Sequence, residues 1–148
     1  MIYPKYFIAI LFLISSLPLY SQSPKTFTLT DSVFEVGSVF KAEHIFWPLG
    51  SWTFREESYP MLDSIVVFLI NNPTIEIEII RNEIYDPQSS SYRTQHRVDE
   101  IINYLVNNGI EKNRLTAKAQ VEIREKQATQ EDFDTGKIGT VIVITSVK

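Results

Sequence analysis

The chain has 148 residues, 44% of them hydrophobic, a formal net charge of −4 and no cysteine. The acidic balance argues against nucleic acid, which usually demands a basic face, and no block of Lys and Arg forms a polybasic membrane patch. Without cysteine there is neither a disulfide framework nor a lipid-modified cysteine at a processed terminus.

In chain order, Lys5 precedes an apolar run from Tyr6 to Ile14 that Ser15, Ser16 and Pro18 close. A membrane-spanning helix needs about 20 apolar residues, so this shorter run reads as a secretory signal peptide over 1–21. Ser21, with Leu19 two positions earlier, predicts cleavage before Gln22, with Ser23 as an alternative boundary. Removing 21 of the 148 residues leaves 127 and, with Lys5 gone, a net charge of −5. That length suits one domain, expected over 37–148 and without a transmembrane segment. Neither an internal repeat nor a low-complexity segment interrupts it.

Residues 22–36 read as a flexible leader ending in an edge strand, because FTLTDSVFEV alternates loosely until Gly37. A second strand is expected within Val39 to Trp47, stopped by Pro48 and Gly50. Leu62, Ile65, Val66 and Leu69 then form an i, i+3, i+4, i+7 stripe, with Pro60 in a first turn where its missing N–H costs nothing. Asn71, Asn72 and Pro73 end that helix.

The stretch from Thr74 to Glu122 organises the rest. TIEIEII alternates as a strand and RNEIYDPQSSS reads as a loop, in which Ser89, Ser90 and Ser91 suit a helix cap. YRTQHRVDEIINYLVNN carries the helical stripe Val98, Ile101, Ile102, Leu105 and Val106, and RLTAKAQVE alternates again. IREKQATQEDFDTG reads as a long solvated loop, and TVIVITSV as a strand inside the sheet rather than at its edge. The expected fold class is α+β: a short strand, then βαβαβ with a further strand, making a mixed sheet with two helices packed on one face.

RVDEIINYLVNNGIEKNRLTAKAQVE resembles the helix and following strand of the OmpA C-terminal-like peptidoglycan-binding family, whose pattern reads roughly RAxxVxxYLxxxGIxxxRLxAxGxGE. Arg97, Tyr104, Leu105, Gly109, Ile110, Arg114, Leu115, Ala117 and Glu122 match without a gap, while Ala119 and Val121 replace two glycines. ESYPMLDSIVVFLINNP resembles the family's first helix. IFWPLGSWTF, from Ile45, occupies the place of an IYFDFGKWxL strand, with Gly50 and Trp52 matching and Pro48 at the usual aspartate. The resemblance implies the OmpA-like βαβαβ-β sandwich and a noncatalytic cell-envelope protein. It also implies a periplasmic or outer-membrane-associated location, with peptidoglycan as partner.

The family's ligand pair is an aspartate in a GHTD-like motif and an arginine fifteen residues later, which the resemblance assigns to the charged groups of diaminopimelate. Arg97 fills the arginine position, and IIRN places Asn82 at the aspartate. A neutral acceptor there costs on the order of 1 to 2 kcal/mol, or about ten-fold in affinity. Ser90 stands for the family's loop asparagine, Arg93 for its helix leucine and Thr94 for its serine. Gly139 and Thr140 replace an arginine pair before the last strand. The resemblance thus gives Asn82, Arg97, Arg81, Ser90 and Thr94 as candidate ligand-binding residues in an altered or weakened site.

Glu83 or Asp86 could supply the missing carboxylate, although a one-residue shift reverses the face while a strand persists. Arg81 and Arg97 could instead converge as an anion reader, or be a solvated charge and a surface arginine paired with Asp99, Glu100 or a loop acid. His44 and His96 lack metal-ligand spacing and read as a plain strand residue and an exposed helix residue. Glu76 and Glu78, side by side on a wet strand face, suit compensation by Lys118 or Lys137 better than catalysis. No catalytic or metal-binding motif and no Gly-rich phosphate loop is present, so neither an enzyme nor a cofactor is expected. The aromatic cluster Phe40, Phe46, Trp47, Trp52 and Phe54 suits a core, with an exposed Trp52 able to stack on a sugar. The other function these residues allow is a structural module that keeps the fold, lacks the ligand and contacts another envelope protein.

Overall fold

The computed structural model describes residues 23–85, 92–124, 126–135 and 137–148. The expected signal peptide, Asp86, Ser89 to Ser91 and Gly136 lie outside the described residues. Among those described, the elements run β1 (Val39–Ala42), α1 (Tyr59–Asn71), β2 (Ile75–Tyr85), α2 (Tyr92–Asn107), β3 (Leu115–Ile123), α3 (Gln130–Asp134) and β4 (Gly139–Val147). The sheet order is β1-β4-β2-β3, with β4 antiparallel to β1 and β2, and β3 parallel to β2. This is the expected α+β class with a mixed sheet, and β4 is an interior strand.

Both predicted helical stripes form. Leu62, Ile65, Val66 and Leu69 of α1, and Val98, Ile101, Ile102 and Leu105 of α2, share one core with Ile75, Ile77 and Ile79 of β2 and Ile142 and Ile144 of β4. Period-two alternation puts those strand residues on one face, and register sets Ile77 beside Ile144 and Ile79 beside Ile142. At the end of α2, Gly109 takes φ +92°, and the Ile110 amide donates to the Leu105 carbonyl at 3.1 Å. That left-handed closure turns the chain towards β3.

Four expectations need correction. β2 does not stop at Ile80 but continues to Tyr85, because no glycine interrupts it and Ile80, Ile84 and Tyr85 favour extended backbone. β1 ends at Ala42 rather than near Trp47. His44 follows it with φ +63°, a left-handed turn residue rather than a plain strand residue. Residues 27–36 form no edge strand: Thr26 makes one isolated parallel bridge to Val39, and Asp31 turns the chain by accepting from the Thr28 amide and hydroxyl. Phe27 is nevertheless buried against Phe34, Phe40 and Phe68.

The expected loop after β3 contains α3, whose Thr129 and Asp132 form a reciprocal capping box. Bonds from the Thr129 amide and hydroxyl, and then from Arg124, hold the Asp132 carboxyl down to about 2. Thr129→Ala is expected to speed amide exchange at Asp132 and Thr135 several-fold while leaving α2 unchanged, as hydrogen-exchange NMR would read. On the outer sheet face, Glu76 pairs with Lys148 rather than Lys118 or Lys137.

Candidate functional site

The alternation that buries Ile75, Ile77 and Ile79 continues along β2 and carries Arg81, Glu83 and Tyr85 beneath the start of α2. Thr94 and Arg97, one helical turn apart, reach down to the same place. Glu83 Oε1 accepts from Arg81 Nε at 2.9 Å and Arg97 Nη1 at 2.6 Å. Its Oε2 accepts from Thr94 Oγ1 at 3.0 Å and from the Tyr85 hydroxyl. The side chains of Glu83, Arg81 and Arg97 are only 5%, 12% and 13% exposed. A buried charge cluster of this kind persists only when its members satisfy one another.

Small neighbours make room for it. In register across all four strands, Ala42 lies beside Thr140, Thr140 beside Arg81, and Arg81 beside Ala119. Arg81 Nη1 donates to Thr140 Oγ1 at 3.3 Å.

The segment between β1 and α1 supplies the facing wall. Buried Ser58 fastens it, accepting from the Phe46 amide at 2.8 Å and donating to the Phe46 carbonyl at 3.0 Å, while the Arg55 amide donates to that carbonyl at 3.0 Å. Trp47 therefore lies against the arginines, its ring centre 4.5 Å from the Arg81 guanidinium carbon and 5.2 Å from that of Arg97. Arg97 Nε donates to the Ser51 carbonyl at 3.1 Å. A pocket of about 280 Å³ opens here, lined by Ile45, Phe46, Trp47, Arg55, Arg81 and Arg97.

The electrostatics follow from crowding. Burial alone would raise the Glu83 carboxyl, but the Arg81 charge and the bonds from Tyr85, Arg97 and Arg81 outweigh it and pull the value to about 2. Burial holds Arg81 below its ordinary value, opposed by Glu83. Burial, then the bond to Glu83, raises the Tyr85 phenol. Glu83 is therefore a fixed anion near neutral pH.

Of the residues singled out in the sequence, Arg81, Thr94 and Arg97 come together here. Asn82 does not: it alternates to the opposite face of β2 from Arg81, at a cleft of about 340 Å³ that Glu83 and Val121 also line, with Gln120, Glu122, Thr135 and Lys137. Glu83 holds the carboxylate position beside Arg97 without any loop shift, because β2 is still a strand there. Ser90 lies outside the described residues. Arg81 is not the solvated charge of one reading, and Arg97 pairs with Glu83, while Asp99 instead accepts from Gln95. Tyr85, Trp47, Arg55 and Thr140 were not among the candidates. Period two, extended beyond Ile79, was the signal that would have found Tyr85 and placed Glu83. At the rim, Trp52 is partly exposed and the His96 ring lies 5.1 Å from it and 4.1 Å from Tyr92.

No family sequence model matches the chain, and no curated protein matches it in sequence. Solved structures do match in shape. A MotB-like protein from Desulfovibrio vulgaris aligns over 74% of each chain at 17% identity and TM-score 0.55. The periplasmic domain of Helicobacter pylori MotB aligns over 74% of each chain at 13% identity and TM-score 0.56. The cell wall anchor of the type VI secretion system from Pseudomonas aeruginosa aligns over 74% of this chain and 80% of its own at 15% identity and TM-score 0.52. At these identities the likeness is one of architecture, and the architecture of this chain is the OmpA/MotB-like α+β fold.

Proposed function

We propose that the protein is a noncatalytic cell-envelope module that binds peptidoglycan through an altered site at the head of α2. The observation that carries this reading is Arg97, held 2.6 Å from a buried carboxylate at the wall of an open pocket. The family resemblance expects an arginine there beside an acid, and Glu83 from the next strand position provides the acid where Asn82 does not. The fold shared with a cell wall anchor and a periplasmic MotB domain supports a periplasmic or outer-membrane-associated location. No helix among the described residues is long and apolar enough to cross a membrane.

Sedimentation with purified sacculi tests the reading. Wild type is expected to pellet, Arg97→Ala to lose about ten-fold in binding, and Asn82→Asp to match wild type because its side chain faces the other way. Wild type remaining in the supernatant would discard wall binding. That result would favour the second reading, a structural module that contacts another envelope protein. One observation speaks for it: a cleft of about 530 Å³ between β1 and α3, flanked by half-exposed Phe46 and Phe133.

A further inference from the structure

Among the described residues, the candidate pocket has more positive charge than its internal partner neutralises. Arg55, Arg81 and Arg97 line it, and Glu83 is the carboxylate that pairs with two of them, leaving a net charge of +2. Each Glu83 oxygen already accepts two hydrogen bonds, so neither has a free direction for a ligand's ammonium group. Donors, in contrast, remain. Arg81 and Arg97 each use Nε and Nη1 and leave Nη2 without a partner among the described residues. Arg55 is exposed at the pocket mouth and has no carboxylate partner among the described residues. The buried indole Nε1 of Trp47, in the same wall, also lacks an acceptor among them. The acids Glu43 and Asp134 line the adjoining cleft, which shares Ile45, Phe46 and Arg81 with this pocket, and are not in the pocket's own lining.

We infer that this pocket takes an oxyanion carrying no ammonium beside it, a carboxylate or a phosphate, with Arg55 as the exposed third arginine that binds it at the mouth. The inference rests on the peptidoglycan-binding reading for its biological ligand, but not for its chemistry. A zwitterion is disfavoured because its ammonium would enter a site that, among the described residues, is net positive and has no carboxylate oxygen left free. The uncommitted fork of Arg55, added to the two Nη2 groups, suits a planar carboxylate and also accepts phosphate. A volume near 280 Å³ holds either group with several waters.

Calorimetric titration of the purified protein with N-acetyl-D-alanine, inorganic phosphate, free D-alanine and D-alaninamide tests this. At least one of the two anions is expected to bind ten-fold or more tightly than D-alanine, D-alaninamide not to bind, and added salt to weaken the anion. The tighter of the two anions identifies the source, carboxylate or phosphate. Arg55→Gln, an exposed change that leaves the buried cluster intact, is expected to weaken that anion three- to ten-fold, and Arg55→Lys to restore part of the loss. Equal or tighter binding of D-alanine, no binding of either anion, or an unchanged affinity in Arg55→Gln would overturn the inference. Sedimentation with sacculi separates the two claims. Pelleting without anion preference removes the inference and keeps the wall reading, whereas anion binding without pelleting does the reverse.

Discussion

Replacing Glu83 with Gln is expected to destabilise the fold by about 3 to 5 kcal/mol, because it leaves two buried guanidinium groups without their shared anion. The neutral amide keeps the shape and can still accept from Arg97 Nη1, so the loss reports charge rather than volume. The pH dependence gives an independent check. The Glu83 carboxyl falls from its ordinary value of 4.5 to about 2 in the folded protein. Its contribution is therefore present above pH 4.5 and is lost as pH falls through about 2. Urea denaturation at pH 7 and at points between 4.5 and 2 should show wild-type stability declining across that window, and Glu83→Gln declining less. A difference below about 1 kcal/mol at pH 7 would mean that water already neutralises the cluster, contrary to its burial.

The second large effect is expected at Arg114, far from the pocket. Its guanidinium donates to three backbone carbonyls: Nε to Ile75 at 3.0 Å, and Nη2 to Leu69 at 2.9 Å and Asn72 at 2.8 Å. Two of these carbonyls belong to the C-terminal end of α1, where unpaired acceptors and the helix dipole both favour a cation. The third opens β2, so one side chain fixes the turn between helix and strand. Arg114→Ala should cost about 2 to 3 kcal/mol, given that a hydrogen bond to a charged group is worth roughly 1.5 to 3 kcal/mol and exposed carbonyls regain water. Arg114→Lys should recover less than half, because an ammonium cannot span three acceptors with the same fork. Full recovery by lysine in urea denaturation would show that charge alone suffices.

Sequence periodicity and the family resemblance both lead to the same fold, and they part over which β2 residue faces Arg97. The stripes at Leu62 to Leu69 and Val98 to Leu105 needed only a period of 3.6 to declare their buried faces. The resemblance then placed Arg97 and Arg114 by spacing. Counting fifteen residues back from Arg97 gave Asn82, because the family motif assumes that the strand has ended there. In this chain isoleucines replace the motif's glycine and histidine, the strand persists, and the alternation brings Glu83 to the arginine. Arg55 and Trp47 were illegible for a different reason: they reach the site through the clamp between Ser58 and Phe46, twelve residues apart, which no local period encodes. The same clamp accounts for the short β1. Phe46 gives its backbone groups to Ser58 instead of to a neighbouring strand.

The strand order has a kinetic consequence. β4, the last strand made, lies between the first and the second, so β1 and β2 have no backbone contact with each other until it arrives. Before then only the β2-α2-β3 unit can close locally, with β2 presenting an unpaired edge of isoleucines. Joining β1 to it requires capturing a segment about a hundred residues downstream, a loop closure whose entropy slows the final step. The chain is thus built to stay partly open until its last strand is free, and the half-formed sheet is the species most exposed to misassembly.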